Sequence, residues 1–132
     1  MGHTLDNWGD YSFCKPPIYC YCILMQEETY IMVFTTCASA EKAGEMAEAL
    51  VTQKLAACVN IVDNMRSVYQ WQGKVEHSTE TLLMIKTRQV LFDIVQKAIQ
   101  EIHVYELPEI IAVPIESGEA NYLNWLGAAT RK

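Results

Sequence analysis

Tyr30-Ile31-Met32-Val33-Phe34-Thr35-Thr36, then Ser39 to Val51, then Ala56-Ala57-Cys58-Val59-Asn60-Ile61-Val62, is the stretch whose reading decides the fold. The first segment is apolar and β-rich without polar alternation, as a central strand covered on both faces requires. Ser39 is placed to cap a helix with Glu41 in its first turn. Ala43, Met46, Ala47, Leu50 and Val51 recur at helical spacing, and Lys42, Glu45, Glu48 and Gln53 fall on the other face. The third segment returns as a strand. A strand-helix-strand crossover of this length makes the two strands parallel neighbours or near-neighbours in one sheet.

Outward from that unit, Asp63-Asn64 makes a polar kink, and Arg66 to Gln72 alternates so that Ser67, Tyr69 and Trp71 share a face. Gly73 supplies a turn. Lys74 to Thr87 is a long return strand, polar at Glu76 to Thr79 and apolar from Leu82 to Ile85, so its first half is expected to leave the domain as a hairpin arm. Leu91, Ile94, Val95, Ala98 and Ile102 mark a second helix, Glu109 to Ile115 a fourth strand closed by Pro114, and Tyr122, Leu123, Trp125, Leu126 and Ala129 the buried sides of a third helix. The order predicts an α+β fold: a ferredoxin-like split βαβ sandwich with an extended β-hairpin and a C-terminal helix. Two helices cover one face of its sheet. The opposite apolar face needs a partner, and closed homo-oligomers are the usual solution.

A chain of 132 residues fits one domain, with roughly two thirds of its unfolded surface available for burial. Its net charge of −6 and ten scattered Lys and Arg residues argue against nucleic acid as a partner. Five cysteines, Cys14, Cys20, Cys22, Cys37 and Cys58, form an odd set with irregular spacing, which suits a reduced, cytoplasmic setting. Ile18 to Met25 is the longest apolar run and is too short to span a membrane; Asp6 and Asp10 upstream do not suit a signal peptide. Residues 1–28 show neither helical nor strand periodicity and read as an N-terminal extension, either an interaction tail or a dispensable leader, ahead of a domain at 29–132.

Within that domain the ordered series Lys54-Leu55-Ala56-Ala57-Cys58-Val59-Asn60, Tyr69-x-Trp71-x-Gly73-Lys74, Ile85-Lys86-Thr87, His103-x-Tyr105-x-x-Pro108-Glu109 and Tyr122-Leu123-x-Trp125 resembles the CutA family of small divalent-cation tolerance proteins. The resemblance covers about residues 30 to 130. It implies a homotrimer in which the sheets face inward and the hairpin arms pair with neighbours. It also implies binding of copper or another divalent cation, a role in metal tolerance, and no cofactor required for folding. Copper-binding members carry a cysteine near the end of the first strand and adjacent histidines before the Tyr-x-x-Pro-Glu segment. Here Thr35 stands at the aligned cysteine position, with Cys37 two residues on, and Ile102 stands beside a single His103.

His103, Cys37 and Glu80 are therefore the candidate metal ligands. A neutral His103 can ligate copper or zinc; equally, it can hydrogen-bond loop backbone at the end of the second helix. Cys37, between a strand end and a helix start, is expected either as a reactive thiolate of lowered pKa or as small buried filling. Lys86 with Lys74, Glu80 and Trp71 forms a second constellation, which either holds a carboxylate or phosphate ligand or makes an inter-subunit contact. Tyr105, Glu109, Tyr122 and Trp125 complete the ligand-binding or interface candidates. No glycine-rich phosphate loop, His-Glu-x-x-His or Gly-x-Ser-x-Gly is present, so the chain is read as a non-enzyme. Three functions compete: a metal-binding tolerance trimer, a regulatory trimer resembling PII proteins that binds a small anionic ligand between subunits, and an assembly scaffold.

Overall fold

The computed structural model describes residues 28–132, so all of the N-terminal extension but Glu28, including Cys14, Cys20 and Cys22, lies outside the described residues. Strand β1 (Tyr30–Cys37) leads into helix α1 (Ala40–Thr52) through Ser39, whose backbone is extended and whose Oγ accepts from the Lys42 amide at 3.2 Å. The helix buries Ala43, Met46 and Leu50, the stripe expected from their spacing. Its end is closed by Lys54 in the left-handed region at φ 60° and by the amides of Leu55 and Ala56, which both reach the Leu50 carbonyl.

Strands β2 (Cys58–Trp71) and β3 (Lys74–Arg88) follow, then a 3₁₀ turn at Gln89–Leu91, helix α2 (Phe92–Ile102), strand β4 (Ile110–Pro114) and helix α3 (Ala120–Ala129). The sheet order is β2-β3-β1-β4, with β3 antiparallel to both β1 and β2 and β4 antiparallel to β1. β1 and β2 are thus parallel near-neighbours separated by β3, which is the split βαβ arrangement of a ferredoxin-like fold. The two segments read on either side of Asp63-Asn64 form one strand. Its pairing with β3 shifts between Val62 and Met65, where Asn64 adopts φ 60°, so the polar kink is a bulge within a continuous ladder. Gln72 and Gly73, at φ 50° and 79°, make the two-residue turn at the arm's tip, a geometry matched to the twist of the strands it joins.

The core lies between the sheet and the first two helices: Ile31 and Val33, Leu83 and Ile85, Met46 and Leu50, Val95 and Ile99 are all sealed from solvent. On α2 the buried stripe differs from the expected one. Val95 and Ile99 are buried while Ile94 is half exposed, because the 3₁₀ turn sets the phase in which Phe92 and Leu91 meet the core. The other face of the sheet presents Ile111, Val113 and Val62 to solvent and is crossed by α3. That helix buries Leu126 and Gly127 but leaves Tyr122 and Trp125 40% and 47% exposed, so among the described residues of the single chain the expected burial of both aromatics is not found. Arg88 anchors the helix, donating to Thr130 Oγ1 and the Thr130 carbonyl and pairing with Glu28, each at 2.9 Å.

Candidate functional site

Where β1 ends, α2 delivers His103 back onto it. The His103 amide closes the helix on the Ile99 carbonyl at 2.8 Å. Its ring then bridges two strands of backbone: Nδ1 accepts from the Tyr105 amide at 3.1 Å, which leaves the proton on Nε2 to donate to the Thr36 carbonyl. Both ring nitrogens are used, so no lone pair is left for a metal. Of the two sequence readings, the geometry matches the backbone-bonded one.

The turn at His103 stacks the Tyr105 ring against the imidazole, centroids 4.7 Å apart, and sends the Tyr105 hydroxyl to Glu80 Oε2 at 3.0 Å. Burial, followed by the hydrogen bond to Glu80 and its charge, pushes the phenol up to about 12, so Tyr105 stays a donor throughout the neutral range. Cys37 is 1% exposed, and burial, with the Glu80 charge adding to it and Lys42 opposing, pushes its thiol up. The expectation of a lowered pKa is therefore overturned: desolvation outweighs the nearby helix start, and Cys37 is core filling.

The structure thus gathers His103, Cys37 and Glu80 at one end of β1 without making a ligand set of them. Among the described residues, no three His, Cys, Asp or Glu side chains converge on a point that a metal ion could occupy. What the region does contain is a cleft of about 680 Å³ between the β2–β3 arm and the 103–109 segment. Met65, Tyr69 and Trp71 line it from β2, Thr36 from β1, Glu80 from β3, and Tyr105, Glu106 and Glu109 from the segment after α2.

The constellation of Lys86, Lys74, Glu80 and Trp71 is divided by the strand's length. Glu80 and Lys86 share a face, as parity requires, but six residues of β3 separate them by roughly 20 Å. Lys86 meets Tyr122 instead, Nζ to Oη 3.3 Å, and Tyr122 lies against Trp125 at 5.5 Å between centroids. Lys74 sits opposite Trp71 at the arm's tip and does not line the cleft. Among the described residues of one chain, Arg66 is the cation in the cleft lining, and neither lysine reaches it. Tyr69 and Met65 were not singled out from the sequence; Tyr69 was legible from its parity with Trp71, whereas the bulge hides Met65.

The sequence and the fold have counterparts. The rice chloroplastic CutA 1 protein (Oryza sativa subsp. japonica) is 44% identical over 102 residues, 77% of this chain and 58% of that protein. The divalent-cation tolerance protein CutA of Thermus thermophilus is 44% identical over 95 residues, 72% of this chain and 92% of that one. The family model for the CutA1 divalent ion tolerance protein matches residues 31–129. The chain belongs to the CutA1 family. Solved CutA1 structures from Thermus thermophilus and Oryza sativa superpose with TM-scores of 0.76 at 42% and 43% identity, covering 77% and 79% of this chain and 99% and 95% of theirs. Against the plant CutA relatives, and the human CutA protein at 41% identity, the chain spans a little over half of their length. CutA relatives bear chloroplastic names, and one solved structure, from Archaeoglobus fulgidus, is described as periplasmic. No helix among the described residues is long and apolar enough to cross a membrane.

Proposed function

We propose that this CutA1-family chain works as a non-catalytic homotrimer of the cytoplasm that takes part in divalent-cation tolerance, copper in particular, with the cleft beneath the arm as its ligand site. The observation that carries the proposal is the sheet face on which Ile111, Val113 and Val62 stand exposed beside a β2–β3 arm that projects past the body. Such a face is covered when copies of the chain meet, and the arm then lies against a neighbour. Light scattering coupled to size exclusion is expected to give three times the chain mass. A stable monomer at micromolar concentration refutes the assembly.

Copper would meet single carboxylates in this cleft, Glu80 foremost, because no three ligands converge among the described residues, and so would bind weakly; His103 joins only if its ring gives up the Thr36 carbonyl. Calorimetry with Cu²⁺ tests this. The reading requires weak binding that Glu80→Gln reduces and Cys37→Ser leaves alone; tight binding abolished by Cys37→Ser places the metal elsewhere. A second reading, a regulatory trimer that binds a small organic molecule, is supported by the cleft's size, since about 680 Å³ with aromatic walls accommodates far more than an ion.

A further inference from the structure

We infer that the cleft beneath the arm binds an organic cation, a protonated amine carried on an aromatic or alkyl frame; the inference rests on the reading of this cleft as the ligand site and names its ligand class. Charge decides the sign. Three carboxylates, Glu80, Glu106 and Glu109, face one guanidinium, Arg66, in the lining, and both lysines that an anion would need stand outside it. Glu80 is the informative member. It is only 9% exposed, its Oε2 is held by the Tyr105 hydroxyl, and among the described residues its Oε1 has no hydrogen-bond partner. Nor is that oxygen sealed off, since among the described residues the one sealed side-chain polar atom without a partner is Thr35 Oγ1. A carboxylate that is nine-tenths buried in the lining of a cleft, with one oxygen oriented by a hydroxyl, is a preformed acceptor for an ammonium group.

The rest of the lining specifies the frame. Tyr69, Trp71 and Met65 line the cleft from the arm, and aromatic rings beside carboxylates favour a cation over an anion. A neutral apolar molecule would cover Glu80 without pairing it, which is costly. A bare inorganic ion would leave the aromatic wall untouched. An ammonium on a carbon frame uses both parts of the cleft, and a volume of about 680 Å³ lies within the usual range for small-molecule sites.

Titration calorimetry on the full chain with tyramine and with its anionic counterpart 4-hydroxyphenylacetate, at matched ionic strength, tests the inference. Tyramine is expected to bind and the acid not to. Glu80→Gln, whose amide oxygen still accepts from Tyr105, should weaken tyramine by about tenfold or more, and Trp71→Leu should also weaken it. Mass and melting point are read on the same variants; if Glu80→Gln does not assemble, Glu109→Gln takes its place. The inference is overturned if the acid binds as well as tyramine, if neither tyramine nor spermidine binds, or if the variants that assemble bind tyramine unchanged. Failure of the trimer or of the copper reading shows separately, in the mass and in the Cu²⁺ titration without amine.

Discussion

Two threonines on the helix-facing side of the sheet should respond to the same substitution with opposite sign. Thr35 and Thr87 are both fully buried, on neighbouring strands β1 and β3. Thr87 Oγ1 donates to the Leu55 carbonyl at 2.7 Å, whereas Thr35 Oγ1 has no partner among the described residues. Valine replaces each hydroxyl with a methyl group of nearly the same shape and suits a strand at least as well. Thr35→Val removes an unpaired buried hydroxyl, which ordinarily costs about 1–3 kcal/mol, so it should stabilise by about 1–2 kcal/mol. Thr87→Val deprives the Leu55 carbonyl of its donor and should destabilise by about 1–2 kcal/mol. Urea unfolding at one fixed protein concentration checks this, because an oligomer's midpoint depends on concentration. With a slope of about 2 kcal/mol per molar, the two midpoints should move in opposite directions by about 0.5–1 M, with the slope unchanged. If Thr35→Val falls alongside Thr87→Val, the Thr35 hydroxyl has a partner and the reasoning fails.

Three further outcomes follow from the same contacts. The Tyr105 phenol is raised from about 10 to about 12 in the folded chain, so the fold binds its proton more tightly than the unfolded chain does; the stability this adds is complete below pH 10 and is lost as pH rises towards 12. Alkaline unfolding of Tyr105→Phe should therefore be less steep over that window, and an identical profile would remove Tyr105 from the linkage. Cys37, buried and with its thiol pushed up, should resist iodoacetamide at neutral pH in the native protein and react once urea has unfolded it, as peptide mapping would read; rapid native labelling would contradict its burial. Arg88→Ala breaks three contacts of a side chain that is 14% exposed and should cost about 2–3 kcal/mol, with faster amide exchange concentrated in α3; uniform exchange across the domain would mean that Arg88 does not anchor that helix.

Element order was legible because local periodicity and turn chemistry agree with the global topology at each step. Ser39 caps where its spacing to Lys42 allows, Gly73 turns where the alternation reverses, and Asp63-Asn64 interrupts the ladder where two polar residues meet. Phase was less legible than type. Ile94 fits a helical stripe as well as Ile99 does until a 3₁₀ turn of three residues sets the helix's start. The burial of Tyr122 and Trp125 is a different matter, because their sequence environment describes a face that the single chain leaves open. Their apolar character is consistent with a covering copy, and the sequence pattern cannot distinguish a core position from an interface one.

The candidate site was legible as a neighbourhood rather than as a mechanism. Spacing brings His103, Tyr105, Cys37 and Glu80 to the end of β1, yet the roles depend on hydrogen bonds that spacing does not encode. An imidazole whose two nitrogens serve the Tyr105 amide and the Thr36 carbonyl is a brace, and a thiol raised by burial is filling. These two residues drew attention as metal ligands, but His103 holds Tyr105 in place and Cys37 fills the core. Tyr105 in turn fixes one oxygen of Glu80, a residue of the cleft lining. The chemistry of the site therefore passes from the residues with the most metal-like side chains to a carboxylate, and its positioning depends on the brace: His103→Ala should act on the cleft by releasing Tyr105 from Glu80, so that a ligand of Glu80 loses affinity although His103 never touches it.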